Sequence, residues 1–206
     1  MSCCCRTLQA VLVSLALVIG LVLYNSHLPR ERETPGGRGL IKSLFARFIN
    51  GNMKSSEGQD TIINQRRGEL LHNLSGTVVD LGTGTGTNIP YFVNQTSSIK
   101  SLYLVEPNAE MHGYLYDRLA LESDEFHDIV HVKDWIGQEM ELDDESVDAV
   151  VTVHVLCSVT GMVDVLEEIK RVLKPGGRLL FIEHVRAPEG DPDLRWLQDF
   201  VEPVWR

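Results

Sequence analysis

The segment Asp80-Leu81-Gly82-Thr83-Gly84-Thr85-Gly86 sets a carboxylate ahead of three glycines at alternate positions. Glycines take positive φ and let a ligand approach the backbone closely. The dinucleotide fingerprint G-x-G-x-x-G fails, because Thr87 stands where its last glycine belongs. An aspartate in front of the loop repels a pyrophosphate and attracts an ammonium. The loop therefore suits a ligand with a cationic amino-acid end and no phosphates. Glu106 follows twenty residues after Gly86, and a carboxylate there can accept both hydroxyls of a ribose. His184 is the first candidate base and His154 the second, since imidazole exchanges protons near neutral pH.

These residues need a frame that brings them together. Ile62, Ile63, Leu70 and Leu71 predict a helix before a first strand at Thr77–Leu81. Further strands are expected at Ser101–Val105, Ile129–Val132, Val147–Val153 and Arg178–His184. Helices are expected at Asn88–Val93, at Pro107–Leu121 with Met111, Leu115 and Leu119 inward, and at Met162–Leu173 with Leu166, Ile169 and Leu173 inward. Cys157 is expected to pack in a helix after the fourth strand. Strands separated by helices predict an α/β fold, a doubly wound parallel sheet covered on both faces. The ligand then sits at the carboxyl ends of the strands. Those ends are Asp80–Gly86, Glu106, the Asp134 region, Val153–His154 and Glu183–His184.

The chain has 206 residues, 43% of them hydrophobic and 23% charged, with a net charge of −10. That balance belongs to a folded protein of about one domain, and its acidity argues against nucleic acid as a partner. Four cysteines, three of them adjacent, make no disulfide scaffold. The charge is uneven. Met1–Gly68 holds nine Lys/Arg and four Asp/Glu; the remainder holds ten and twenty-five.

Thr7–Ser26 lacks any charge and is long enough to span a bilayer. An uncleaved anchor is expected over Met1–Leu28, with a cleaved signal peptide as the alternative. Arg30, Arg32, Arg38 and Lys42 follow the run, which predicts a body facing the cytosol. Cys3, Cys4 and Cys5 are then S-acylation candidates or free thiols. Residues 29–59 read as a linker followed by a basic amphipathic stretch, Leu40–Ile49. That stretch suits either a membrane surface or a lid on the body. Residues 60–206 form the remaining domain.

The Asp80–Gly86 loop, Val105-Glu106-Pro107-Asn108, Asp144–Val151 and Leu173–Arg178 together resemble class I methyltransferases that use S-adenosylmethionine. The resemblance covers about residues 60–190. It implies that Asp80, Gly82, Gly84 and Gly86 hold the methionine part of that cofactor and Glu106 its ribose. It places adenine near Asp134, Trp135 and Ile136, with Val153 also at the cofactor, and calls for no metal. Val155–Val159, Glu183-His184-Val185, Trp196 and Glu202–Trp205 are similar to the membrane-anchored thiol S-methyltransferase family. That similarity implies an endoplasmic reticulum or lipid-droplet membrane and a small, apolar acceptor, a thiol first. A thiol with a pKa of about 8.5 needs only a nearby base. The alternatives are O- or C-methylation of a lipid or quinone, or a silent membrane protein that keeps the cofactor fold. The fold usually adds two further strands beside strand five. The sequence is expected to lack them, leaving Leu179, Phe181 and Val185 at an open edge.

Overall fold

The computed structural model describes residues 62–205 and, ahead of them, Arg47. The expected anchor, Cys3–Cys5 and the rest of the basic stretch lie outside the described residues. Among the described residues, no helix is long and apolar enough to cross a membrane.

Five strands, β1 (Gly76–Leu81), β2 (Ile99–Val105), β3 (Val130–Lys133), β4 (Val147–Val153) and β5 (Leu173–Ile182), form one sheet in the order β3-β2-β1-β4-β5. All four pairings are parallel. The order reverses between β1 and β4, so the crevice that binds ligands in such sheets opens at their carboxyl ends. Helix α1 (Ile62–Leu70) precedes β1; α2 (Ile89–Val93), α3 (Ala109–Leu119) with α4 (Asp124–His127), and α5 (Met162–Val172) follow β1, β2 and β4.

Strand periodicity divides the core in two. Val78, Leu102, Leu104, Ala149 and Val151 face one side, with Ile89 and Phe92 of α2, Leu115 and Leu119 of α3 and Phe126 of α4. Val79, Leu81, Val105 and Val150 face the other, with Val165, Ile169 and Val172 of α5. Helix α3 starts where the Asn108 side chain accepts the Glu110 N–H at 3.2 Å, and its inward stripe is the expected Met111, Leu115 and Leu119.

Four expectations change. Helix α5 turns Val165, Ile169 and Val172 inward and leaves Leu166 at 36% exposure, one residue out of the expected phase. Strand β5 begins at Leu173 instead of Arg178. Leu173 pairs with Val147, the register then breaks, and Arg178 pairs with Ala149. Lys174–Gly177 bulges between these pairs, with Gly176 at φ +82°. Helix α4, too short to show a period, was not expected. Finally, Cys157 lies in a turn rather than a helix. Strand β5 borders the described sheet, with Phe181 and Val185 exposed and Leu179 half-buried.

The sheet with α1–α5 forms one unit that ends at Val185; from Arg186 a second unit begins. It contains α6 (Pro192–Trp205), in which Asp199 pairs with Arg186 at 2.9 Å and the Gln198 side chain accepts the Ala187 N–H at 2.7 Å.

Candidate active site

The loop after β1 crosses over the end of β2: Gly82 and Thr83 donate their N–H groups to Val105 O at 2.8 and 3.0 Å. Asp80, the penultimate residue of β1, is completely buried. One carboxylate oxygen accepts from Asn88 Nδ2 at 2.8 Å, and the other has no partner in hydrogen-bonding geometry among the described residues. Burial pushes the Asp80 carboxyl from 3.8 up to about 6, against the opposing pull of Thr83, Asn88 and the Arg67 guanidinium. An ammonium ligand would reverse that shift by restoring a counter-charge.

The three loop glycines do different things. Gly82 has φ +68°, and a Cβ there would meet the two Val155 methyls at 2.5 and 2.8 Å. Gly86 packs on α2 and α3, with Ile89 2.6 Å and Leu115 2.9 Å from where its Cβ would be. Gly84, at φ +59°, has nothing nearer than Gly82 O at 4.0 Å. Its face is the open one, where a ligand can lie along the backbone.

Glu106 is 8% exposed. It accepts the Gly84 N–H at 3.0 Å through one oxygen and the Asn108 N–H at 2.8 Å through the other. Each oxygen keeps a second lone pair, so two hydroxyls can still be accepted. Burial raises the Glu106 carboxyl, opposed by those N–H groups and His112. Glu106→Ala is expected to weaken cofactor binding by about 1–3 kcal/mol, because the ribose loses a charged acceptor and Gly84 its tether. Gly84→Val is expected to weaken it as well, by filling the open face. Calorimetric titration of each variant checks both; unchanged affinity in Glu106→Ala contradicts the ribose assignment.

Beyond β3, Asp134 and Ile136 are exposed, while Trp135 stacks on Tyr103 at 5.8 Å beneath Lys133 Nζ. Val153, half-buried at the end of β4, packs on the first core cluster.

At the ends of β4 and β5 the two histidines meet. The His154 and His184 rings stack with centroids 4.3 Å apart and planes 17° apart. Cys157 Sγ lies 3.5 Å from His184 Nδ1. Burial, then the neighbouring His184 and Arg67, hold His154 below the ordinary imidazole range, with Glu183 pulling upward. These neighbours favour the neutral form of the His154 ring.

Sequence reasoning placed Glu183 at a strand end but gave no role to it, to Arg67 or to Asn88. Asn88 sits at the N-cap of α2, yet its side chain makes no cap and turns to Asp80. Arg67 is 5% exposed and donates to Asn64 Oδ1 at 3.3 Å, but its Nε has no partner among the described residues. A buried guanidinium is expensive without a counter-charge, and one on a helix ahead of a carboxylate-glycine loop was the available signal. Among the described residues, the orphaned buried polar atoms include those of Arg67, Asp80, Thr85 and Asn88 around this loop, with Thr152 and Glu183 at the ends of β4 and β5. Native proteins pair such atoms, so their concentration fits a polar, zwitterionic ligand. No group of three or more potential metal ligands occurs among the described residues.

Residues 79–181 match the family model described as Methyltransferase domain. Thiol S-methyltransferase TMT1B of Rattus norvegicus is 38% identical over 135 residues, 63% of this chain and 51% of that protein. Thiol S-methyltransferase TMT1B of Homo sapiens is 34% identical over 175 residues, 81% of this chain and 68% of that protein. The chain thus spans about half the length of the rat relative. The crystal structure of a putative S-adenosyl-L-methionine-dependent methyltransferase from Methanococcus maripaludis superposes with a TM-score of 0.57 at 15% identity. It covers 86% of this chain and 77% of that one, and this likeness bears on the fold.

Proposed function

The chain belongs to the S-adenosylmethionine-dependent methyltransferase family, and from that membership we propose that it methylates a small, apolar acceptor, a thiol by preference. The observation that carries the reading is the stacked His154–His184 pair beside the crevice that the Asp80 loop opens. S-adenosylmethionine, when bound, supplies an electrophilic methyl on its sulfonium. The chain's own residues bind, align and deprotonate. Asp80 would hold the ammonium, Arg67 Nε the carboxylate and Glu106 the ribose, with Gly84 allowing the close approach of the backbone. The segment Asp134–Ile136, with Val153, borders the adenine. The histidine pair would accept the thiol proton while the methyl passes from the sulfonium to the acceptor sulfur, the sulfonium–methyl bond breaking and the cofactor leaving as its neutral thioether. Alignment of this kind accounts for much of the acceleration of a two-substrate displacement.

The thiol preference rests on the relatives' names and on the histidine pair. The test is methyl transfer by the full chain to a panel of alkyl thiols, phenols and quinones. The highest kcat/KM is expected for an alkyl thiol. Transfer to phenols or quinones alone would replace the thiol reading, and cofactor binding without any transfer would make the fold a silent one. We further propose that Thr7–Ser26 anchors the body to the cytosolic face of an endoplasmic reticulum or lipid-droplet membrane, on the strength of the flanking charges. Protease accessibility in intact microsomes is expected, and protection would reverse the orientation.

A further inference from the structure

We propose that Glu183 is a positioning residue, whose carboxylate locks the turn after β4 so that the histidine pair and the cofactor loop hold one register. The methyl-transfer consequence rests on the function proposed above; the clamp itself rests on geometry alone.

Three hydrogen bonds tie the turn to the end of β5. His154 donates its N–H to Ile182 O at 2.8 Å, and Val155 and Leu156 both donate to Glu183 Oε1 at 3.1 Å. Successive backbone N–H groups converging on one point after a left-handed residue form an anion-binding concavity. Here the protein's own carboxylate fills it. The left-handed residue is His154, at φ +59°. A side chain there is uncommon and strained by about 1–2 kcal/mol, and persists only where its surroundings over-determine it. The Ile182 and Glu183 bonds supply that constraint.

Two things follow from the locked turn. His154 is presented to His184, the residue after the clamp, at stacking distance, and Cys157 reaches His184 Nδ1. Val155, anchored by its N–H, is pressed against the one face of Gly82 where no Cβ fits. A single carboxylate thus connects the proton acceptors to the loop that holds the cofactor's amino-acid end. The charged and titratable groups facing His154 are His184 and Glu183 from the end of β5 and Arg67 from α1. Glu183 is the one anion in that set, and its Oε2 is buried without a partner among the described residues.

Glu183→Gln keeps an acceptor oxygen for the two N–H groups and removes the charge. Glu183→Ala removes both. The two readouts, made on the full chain, are the NMR titration of the histidine rings and the alkylation rate of Cys157 by iodoacetamide. Neither needs methyl transfer, so failure of the methyltransferase reading leaves them intact. In Glu183→Gln the His154 midpoint should fall, because the neighbouring carboxylate that pulls it upward is gone, with thermal stability and Cys157 alkylation near wild type. In Glu183→Ala the alkylation rate should change severalfold and cofactor affinity should drop, as Val155 leaves Gly82. Should the alanine variant not fold, Glu183→Asp, whose shorter arm cannot reach the turn, takes its place. An unmoved His154 midpoint in Glu183→Gln, or wild-type Cys157 alkylation in a folded Ala or Asp variant, would overturn the proposal.

Discussion

Replacing Asp80 by Asn is expected to stabilise the cofactor-free protein while weakening cofactor binding about 10- to 100-fold. The carboxyl is fully buried and burial raises it from 3.8 to about 6. A group that holds its proton more tightly in the folded than in the unfolded chain favours folding at low pH. That contribution is complete below pH 3.8 and lost once the pH has risen through about 6. At pH 8 the ionised carboxylate therefore costs about 3 kcal/mol, at about 1.4 kcal/mol per pH step. The amide of Asn carries no charge, and its oxygen still accepts from Asn88 Nδ2. It should recover about 1–2 kcal/mol of that cost, the remainder going to desolvation of its own NH2. The ligand ammonium meanwhile loses a charged partner, which contributes about 1.5–3 kcal/mol. Thermal midpoints should show Asp80→Asn above wild type at pH 8, the gap closing toward pH 4. A lower midpoint at pH 8 would mean that the carboxylate is structurally required, not held for a ligand.

Gly82→Ala should be strongly destabilising. Its Cβ would fall 2.5 and 2.8 Å from the Val155 methyls, on a backbone at φ +68°. The left-handed conformation costs about 1–2 kcal/mol for a non-glycine residue, and overpacking adds about 1–3 kcal/mol. Val155→Ala removes the clash but not the backbone strain. The double-mutant cycle should therefore show a favourable coupling of about 1–2 kcal/mol, with a remainder that no change at position 155 rescues. Denaturant unfolding of the four proteins measures it. A zero coupling would place Val155 away from the loop and remove one arm of the Glu183 clamp.

The parts legible in the sequence were those with a local cause. Alternating strand and helix periods gave the five strands and the α3 stripe of Met111, Leu115 and Leu119, because burial imposes those periods directly. The Asp80 loop and the place of Glu106 at the end of β2 were legible because a turn with positive φ needs glycine and because strand ends follow from the apolar runs before them. The phase of α5 was not legible: Val165, Leu166, Ile169, Val172 and Leu173 offer two apolar stripes one residue apart, and packing on Val150 chooses between them. Strand β5 began early because Leu173 pairs with Val147 across a bulge, and a Lys-Pro-Gly-Gly run reads as a stop. Arg67, Asn88, Cys157 and Glu183 were invisible as a set. Each is unremarkable locally, and only the β1–β4 switch and the turn at His154 bring them to one crevice.

Recognition of the cofactor's ammonium by Asp80 is tested most directly by calorimetric titration of S-adenosylmethionine into the full chain near pH 6, in buffers of different ionisation enthalpy. There Asp80 is about half protonated before binding, and an arriving ammonium must expel that proton. The predicted result is stoichiometric binding with release of about half a proton at pH 6, where the ligand's α-amino group is already fully protonated, and no release at that pH in Asp80→Asn. Binding whose enthalpy is the same in every buffer at pH 6, or no binding at any pH, would contradict it.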